Sequence, residues 1–368
     1  MSADVLSAIL PLLERLVAFD SRNPPRAIGK EGLYAFLAES LGQGFRCTLT
    51  DLGDGCLSLL AVRGNPRFVF NVHVDTVPAD PGWKDDPLRL RVEGDRAIGL
   101  GAADIKGAAA CMLVAASRTQ KDAALLFTSD EEAGTSRCIK AFLAEKHPFA
   151  AAIVAEPTRC EAIVEHRGIA SCLGHFHGRG GHASAPRALE DSAVHEAVRW
   201  ASRALSFAEE SQSAGYKNLS GIRYNLGILQ GGQKSNMIAA ECMLRYGVRP
   251  LPSQDPRALL AALNGLAPRP ERVTWEPTFI ATPLPAALSD HPGGVEARVR
   301  EATSLAGELG LRVGAPVDFW TEAALFSESG KPAIVYGPGD IAEAHTAGEW
   351  VRLVELVEAE ATYERIFG

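Results

Sequence analysis

The chain has 368 residues, more than one hydrophobic core usually serves, so two domains are expected. Apolar residues make up 46% and charged residues 22%, which excludes disordered, collagen-like and low-complexity architectures. A net charge of −8 argues against a nucleic-acid partner, and no stretch approaches the ~20 uncharged apolar residues of a membrane span.

In chain order, the first element is a helix over VLSAILPLLERLVAF, where Asp4, Glu14 and Arg15 exclude a signal peptide. With no targeting signal, a cytoplasmic address is expected. From about Arg67 to Glu156 strands alternate with helices, the pattern of a mainly parallel α/β sheet covered by helices. RFVFNVHVD alternates, with Phe68, Phe70, Val72 and Val74 on one face and Asn71, His73 and Asp75 on the other. AALLFTS and AAIVAE are short apolar runs suited to strands covered on both sides. KGAAACMLVAAS and SRCIKAFLAEKH suit helices, the second with Ser136 as its cap.

From Ile163 to Thr278 the pattern changes to longer, half-exposed strands: GIASCLGHFHG, GIRYNLGILQGG and ECMLRYGVR. A helix over residues 190–205 and another from Pro256 accompany them, which predicts an antiparallel α+β layer. PAIVYGPG then returns to the first pattern, and VRLVELVEAEATYERIF closes the chain as an amphipathic helix. The middle is therefore expected to be an insertion: residues 166–279 as a smaller α+β domain, and residues 1–165 with 280–368 as the α/β domain. The seven cysteines are scattered, odd in number and free of any CxxC pair, which predicts reduced, buried thiols and no thiolate zinc site.

Ligands of open parallel sheets gather beyond the carboxyl ends of the strands. His73 and Asp75, Asp130 to Glu132, Glu156, and Asp340 with His345 all fall there, and Asp104 occupies the Gly-rich turn GLGAADIKG. Converging carboxylates repel by about 4 kcal/mol per pair 4 Å apart, and Lys106 offsets only part of that. Divalent cations resolve the conflict. Carboxylate with imidazole and no thiolate is the ligand mix of catalytic zinc, cobalt or manganese, and the set suffices for two ions sharing one carboxylate.

NVHVDTVP, GLGAADIKG, TSDEEAG, AEPT, GGHASAP and a final AHT, in this order, resemble the di-metal aminoacylase and deacetylase family. That family includes acetylornithine deacetylase, succinyl-diaminopimelate desuccinylase and glutamate-releasing carboxypeptidases. FDSRNPPRAI, VDFWTEAALF and VYGPGDIAEAHT look most like its branch acting on N-acetyl-L-citrulline. The resemblance implies a cytoplasmic homodimer, joined through the inserted (lid) domain, that hydrolyses an N-acetylated amino acid in arginine biosynthesis.

It also implies roles for single residues. His73, Asp104 and Glu156 would hold one divalent ion, with Asp104 bridging to a second on Glu132 and His345. Zinc or cobalt would occupy these places, with manganese an alternative. Asp75 would fix the His73 tautomer. Glu131 would be the base that takes a proton from the attacking water and passes it to the leaving amine. His182, from the other subunit, would donate to the oxyanion. Asn236 and Arg249 would hold the substrate carboxylate, and the peptide after Asp104 is expected to be cis.

Blander readings stand beside these. A lone DEE is usually a solvated face, Glu156 before Pro157 can simply end a strand, and His345 can be a loop residue. Glu322 either opens a helix with Thr321 or faces the substrate side chain. Trp320 reads as packing, His175 and His177 as an exposed strand face, and His147, His166, His195 and His291 as ordinary histidines. Two rival functions remain: a dipeptidase or carboxypeptidase on the same scaffold, and a catalytically silent metal-binding homologue.

Overall fold

In the computed structural model, residues 2–25, 28–287 and 292–368 are described. Arg26 and Ala27, within FDSRNPPRAI, and His291 lie outside them. Contacts divide the chain into two compact units: residues 1–164, 288–314 and 321–368 form one, and residues 165–287 with 315–320 form the other.

The first unit begins with α1 (Ser2–Ala18), whose Ile9, Leu13, Leu16 and Val17 make a buried stripe, and continues through the short α2 (Ala35–Ser40). Strands β1 (Arg46–Asp51) and β2 (Leu57–Arg63) pair antiparallel, and β3 (Phe68–His73) follows. A small hairpin, β4 (Arg91–Glu93) and β5 (Arg96–Ile98), leads into the turn carrying Asp104. Helix α3 (Gly107–Arg118) is buried over residues 107–116, and its alanines let α1 pack closely. Strand β6 (Ala123–Thr128), α4 (Arg137–Ala144) and β7 (Ala151–Val154) complete this half.

The second unit comprises β8 (Ile169–His177), β9 (Gly181–His182), α5 (Ala188–Asp191) and α6 (Ala193–Glu210). Next come the hairpin β10 (Gly215–Tyr216) and β11 (Leu219–Ser220), then β12 (Arg223–Gly231), β13 (Met237–Ile238) and β14 (Glu241–Arg249). Helix α7 (Pro256–Asn264) and β15 (Val273–Ala281) end it. Its main sheet, ordered β12-β14-β8-β15, is antiparallel throughout. Burial alternates along β8 and β14, and α6 and α7 cover the buried face around Phe176, Trp200, Tyr246 and Leu263. The Trp200 indole donates to the Leu263 carbonyl at 2.9 Å, satisfying the one polar atom of that core residue. Sequence reading missed β15 because Pro277 interrupts VTWEPTFIA. The strand tolerates it at the sheet edge, beside a bulge between Pro277 and Phe279.

The chain then returns to the first unit with α8 (Gly294–Glu308), α9 (Ala323–Glu328), β16 (Ala333–Val335), β17 (Trp350–Arg352) and α10 (Leu353–Ile366). The sheet order is β1-β2-β6-β3-β7-β16. The strands β6, β3, β7 and β16 run parallel, and β1 and β2 form an antiparallel edge. Phe70 meets Tyr363 and Phe367 edge-on, seating the C-terminal helix on the sheet. The four parallel strands thus send their carboxyl ends to one edge, as the α/β expectation required.

Two local expectations are corrected. Ser136 does not cap α4 with its side chain; the Asp130 carboxylate accepts from the Arg137 and Cys138 amides instead. Cys47 is exposed on β1, whereas the other six cysteines are buried and all seven are free thiols. Trp320 is packed edge-on against Phe279 within the second unit, with its indole donating to the Thr282 carbonyl. No helix among the described residues is long and apolar enough to cross a membrane.

Candidate metal centre

His73 ends β3, and the β6 and β7 termini flank it through the registers His73↔Thr128 and Asn71↔Val154. Glu131 and Glu132 leave β6 on one side, and Glu156 leaves β7 on the other. Asp104 arrives from the turn after Gly101, which sits at φ +81, a left-handed conformation that favours glycine. A Cβ there would also come within 2.8 Å of Thr76 Cγ2. Gly337, beyond β16, passes so close to Glu156 that a Cβ would meet its carbonyl oxygen at 2.7 Å. The Asp104–Ile105 peptide is cis, as expected.

The five anticipated ligands converge. His73, Asp104 and Glu156 form one group with ligand atoms within 4.8 Å of one another, and Asp104, Glu132 and His345 form a second. Asp104 belongs to both. Its Oδ1 lies 3.2 Å from His73 Nε2 and its Oδ2 lies 3.1 Å from His345 Nε2, so each oxygen faces a different histidine. Glu132 Oε1 stands 2.9 Å from His345 Nε2, and Glu156 Oε1 stands 4.0 Å from His73 Nε2.

Electrostatics agree with the geometry. Burial opposes charge on His73, but its hydrogen bonds to Asp104 and Asp75 raise its pKa well above the ordinary value. Hydrogen bonds to Asp104 and Glu132 push His345 up to about 11. Burial pulls Asp104 upward, yet its bonds to His345 and His73 outweigh this and hold it below the usual carboxylate range. Desolvation followed by the charge of Asp104 pushes Glu156 well up, and desolvation followed by Glu132 does the same to Glu131. The acids thus draw positive charge onto both imidazoles, and a pair of divalent ions fits that demand.

The remaining predicted residues are placed as follows. Asp75 is buried beside His73, whose Nδ1 lies 3.0 Å from the Asp75 carbonyl and 3.5 Å from its carboxylate. The backbone is therefore the nearer partner. The Asp75 carboxylate itself accepts from Asn23 Nδ2 at 2.9 Å and from the Glu132 amide at 3.1 Å. Glu322 opens α9 at its N-cap position, but the capping side chain is that of Thr321, whose Oγ1 accepts from the Ala323 amide at 3.2 Å. Glu322 is 1% exposed, accepts from Thr128 Oγ1, and is pushed up to about 8 by burial and then by Asp130. Lys106 is lowered to about 8 by burial; its ammonium donates to the Phe19 carbonyl, and its nearest charges are Glu349, Asp20 and Asp75 rather than any ligand.

In the second unit, His182 and Asn236 are exposed neighbours: β9 pairs with β13, and the Ala183 amide donates to the Asn236 carbonyl at 3.0 Å. Arg249 lies at the far end of β14, ~26 Å from Glu241 at ~3.3 Å per residue. The Gly232 amide donates to the Glu241 carbonyl, so the loop bearing Asn236 leaves the end of β14 opposite Arg249. Two site-building residues escaped the sequence reading: Asn23 and Glu349. Each acts on backbone or side chains remote in sequence, so no local spacing marks it.

A sequence profile of the peptidase family M20/M25/M40 matches residues 69–367. The chain belongs to that family. Among its relatives is the N-acetyl-L-citrulline deacetylase of Xanthomonas campestris pv. campestris, 50% identical over 364 residues that cover 99% of this chain and 98% of that protein. The acetylornithine deacetylase of Myxococcus xanthus is 32% identical, covering 99% and 97%. An M20 family metallo-carboxypeptidase from Sulfolobus solfataricus shares the fold at a TM-score of 0.72 and 14% identity, covering 98% of each chain. A Bacillus subtilis protein described as a dinuclear metal-binding M20 peptidase matches at 0.63 and 12%, covering 99% and 97%.

Proposed function

We propose that this chain is a di-metal deacetylase that hydrolyses the acetamide of N-acetyl-L-citrulline to acetate and the free amino acid in arginine biosynthesis, with N²-acetyl-L-ornithine the alternative substrate. The observation that carries the reading is Asp104, one oxygen toward His73 and the other toward His345, in a chain half-identical to a deacetylase of that specificity.

His73, Asp104 and Glu156 would hold one divalent ion, and Asp104, Glu132 and His345 the other, with zinc or cobalt preferred and manganese possible. Bound there, such ions supply Lewis-acid polarisation and acidify water. Glu131 takes a proton from the water that adds to the acetyl carbonyl. It then returns that proton to the amine as the C–N bond breaks. Its half-buried position beside Glu132 favours holding a proton between the two steps. Asp75 and Asn23 keep His73 and Glu132 in place.

His182 donates to the oxyanion in the centre of a partner subunit, and because Asn236 travels with it, the partner supplies both. Arg249 then serves the substrate carboxylate from the other end of β14. A homodimer through the inserted unit suits the exposed edge strand β12, whose Ile228 and Leu229 are 43% and 44% exposed, and α6, whose Val198 and Leu205 are exposed as well. A cytoplasmic setting would keep the seven free thiols reduced.

The test compares kcat/KM for acetylcitrulline, acetylornithine and dipeptides with cobalt or zinc supplied. Preference for acetylcitrulline is expected. Preference for acetylornithine or a dipeptide would replace the substrate, and no turnover of any would leave only the silent homologue.

A further inference from the structure

Glu349 lies four residues beyond His345 and is 1% exposed, yet it belongs to neither ligand group. Its Oε1 accepts from the backbone amides of Ala103 and Asp104, and its Oε2 accepts from the amide of Gly101, each at 2.9 Å. A run of amides turned toward one point is an anion-binding concavity, and here the anion is a side chain of the same protein. The left-handed Gly101 is what turns its N–H inward, toward the same carboxylate as the Ala103 and Asp104 amides.

The backbone around Glu349 is tied down as well. Its carbonyl accepts from the Gly99 amide at 3.0 Å, its own amide donates to Thr346, and the next residues form β17 against β5. One buried carboxylate thus joins the turn that delivers Asp104 to the turn that delivers His345. Those two residues belong to the same ligand group, and their side chains meet at 3.1 Å.

We propose that Glu349 is a positioning residue for the second ion of the centre: it clasps the 101–104 backbone so that Asp104 presents one oxygen to each ion, in register with His345. A neutral amide cannot replace it, because a glutamine would turn an NH2 toward at least one backbone N–H. The ion shared by Asp104, Glu132 and His345 depends on this clasp more than the other, since the clasp joins the turns of two of its three ligands, Asp104 and His345, but only one, Asp104, of the group His73, Asp104 and Glu156.

The inference rests on the two-ion reading above, and cobalt titration of the metal-free chain separates the two. The unsubstituted chain is expected to bind two Co²⁺, with a visible spectrum that changes between the first and second equivalent. In Glu349→Gln the first equivalent binds as before and the second weakens about 10–100-fold, the usual cost of losing an outer-shell partner. Leu37→Ala, a core truncation in α2, lowers the melting temperature but leaves both equivalents unchanged. Should Glu349→Gln bind both ions like the unsubstituted protein, with the same spectrum, the clasp is refuted while the two-ion centre stands. Should the unsubstituted chain bind one ion or none, the two-ion reading itself falls.

If Glu349→Gln does not fold, hydrogen exchange in the unsubstituted metal-free protein decides. The amides of Gly101, Ala103 and Asp104 are expected to be among the slowest of their unit outside its strands and helices. Rapid exchange at all three would overturn the proposal.

Discussion

In the first unit, His73, Asp104 and Glu156 are 3–6% exposed, and the ligand set is complete within one chain. In the inserted unit, His182 and Asn236 lie open at one end of the sheet and Arg249 at the other, with no shared ligand between them. The first site is assembled by the parallel sheet, whose strands place acids and imidazoles on one edge whatever their distance along the sequence. The second is a set of separate ends, which the proposed function completes with a partner subunit. One chain therefore gathers both candidate ligand groups by itself but keeps the proposed substrate contacts apart, the contrast on which the proposed dimer rests.

The largest expected effect sharpens the first half of that contrast. Glu131→Gln should lower kcat about 10²–10⁴-fold at unchanged metal content, the range of a lost general base; near-normal turnover would remove Glu131 from the chemistry. The next probes the second half. His182→Asn should cost about 10²–10³-fold in kcat, as for a lost oxyanion donor, with both ions retained. Mixing inactive Glu131→Ala and His182→Asn chains should restore activity, because some mixed dimers carry one intact centre facing one intact His182. Mixed assemblies that stay inactive would mean the inserted unit serves its own chain.

A third prediction concerns pH and the inserted unit. Burial lowers His166 from 6.5 to about 4. An unfolded chain takes up this proton as pH falls through 6.5, whereas the folded chain does so only near 4, so stability is lost across that window and unaffected above it. From pH 7 to pH 4.5 the loss should be about 2–3 kcal/mol, and His166→Gln should remove it. Equal acid sensitivity in urea unfolding of both proteins would contradict the assignment. The smallest effect is Asp255→Ala: Asp255 caps α7 by accepting from the Arg257 amide at 2.9 Å. Its loss should cost about 1 kcal/mol and leave metal binding untouched, as calorimetry with and without cobalt would show.

What could be read beforehand follows the same division. The alternation of RFVFNVHVD and the acids after AALLFTS and AAIVAE announce strand ends, and strand ends of a parallel sheet are where ligands collect. The convergence of acids and imidazoles was legible for that reason, while the choice of five among them came from the family resemblance. Glu349 was not, because its amide partners lie 245–248 residues away and an acid in AGEW looks like any loop acid. The cap of α4 was misread because Asp130 reaches it from the strand side across a tight turn, displacing the adjacent Ser136. The strands of residues 91–98 and 350–352 span three residues each, too few to show a period. The separation of Asn236 from Arg249 needed the length of β14 and its register, which motif matching does not supply.

Anomalous diffraction from a crystal of the cobalt-loaded chain tests the shared carboxylate most directly. Two peaks are predicted, one among His73, Asp104 and Glu156 and the other among Asp104, Glu132 and His345, with Asp104 touching both. A lone peak, or two that leave Asp104 uncoordinated, would contradict it.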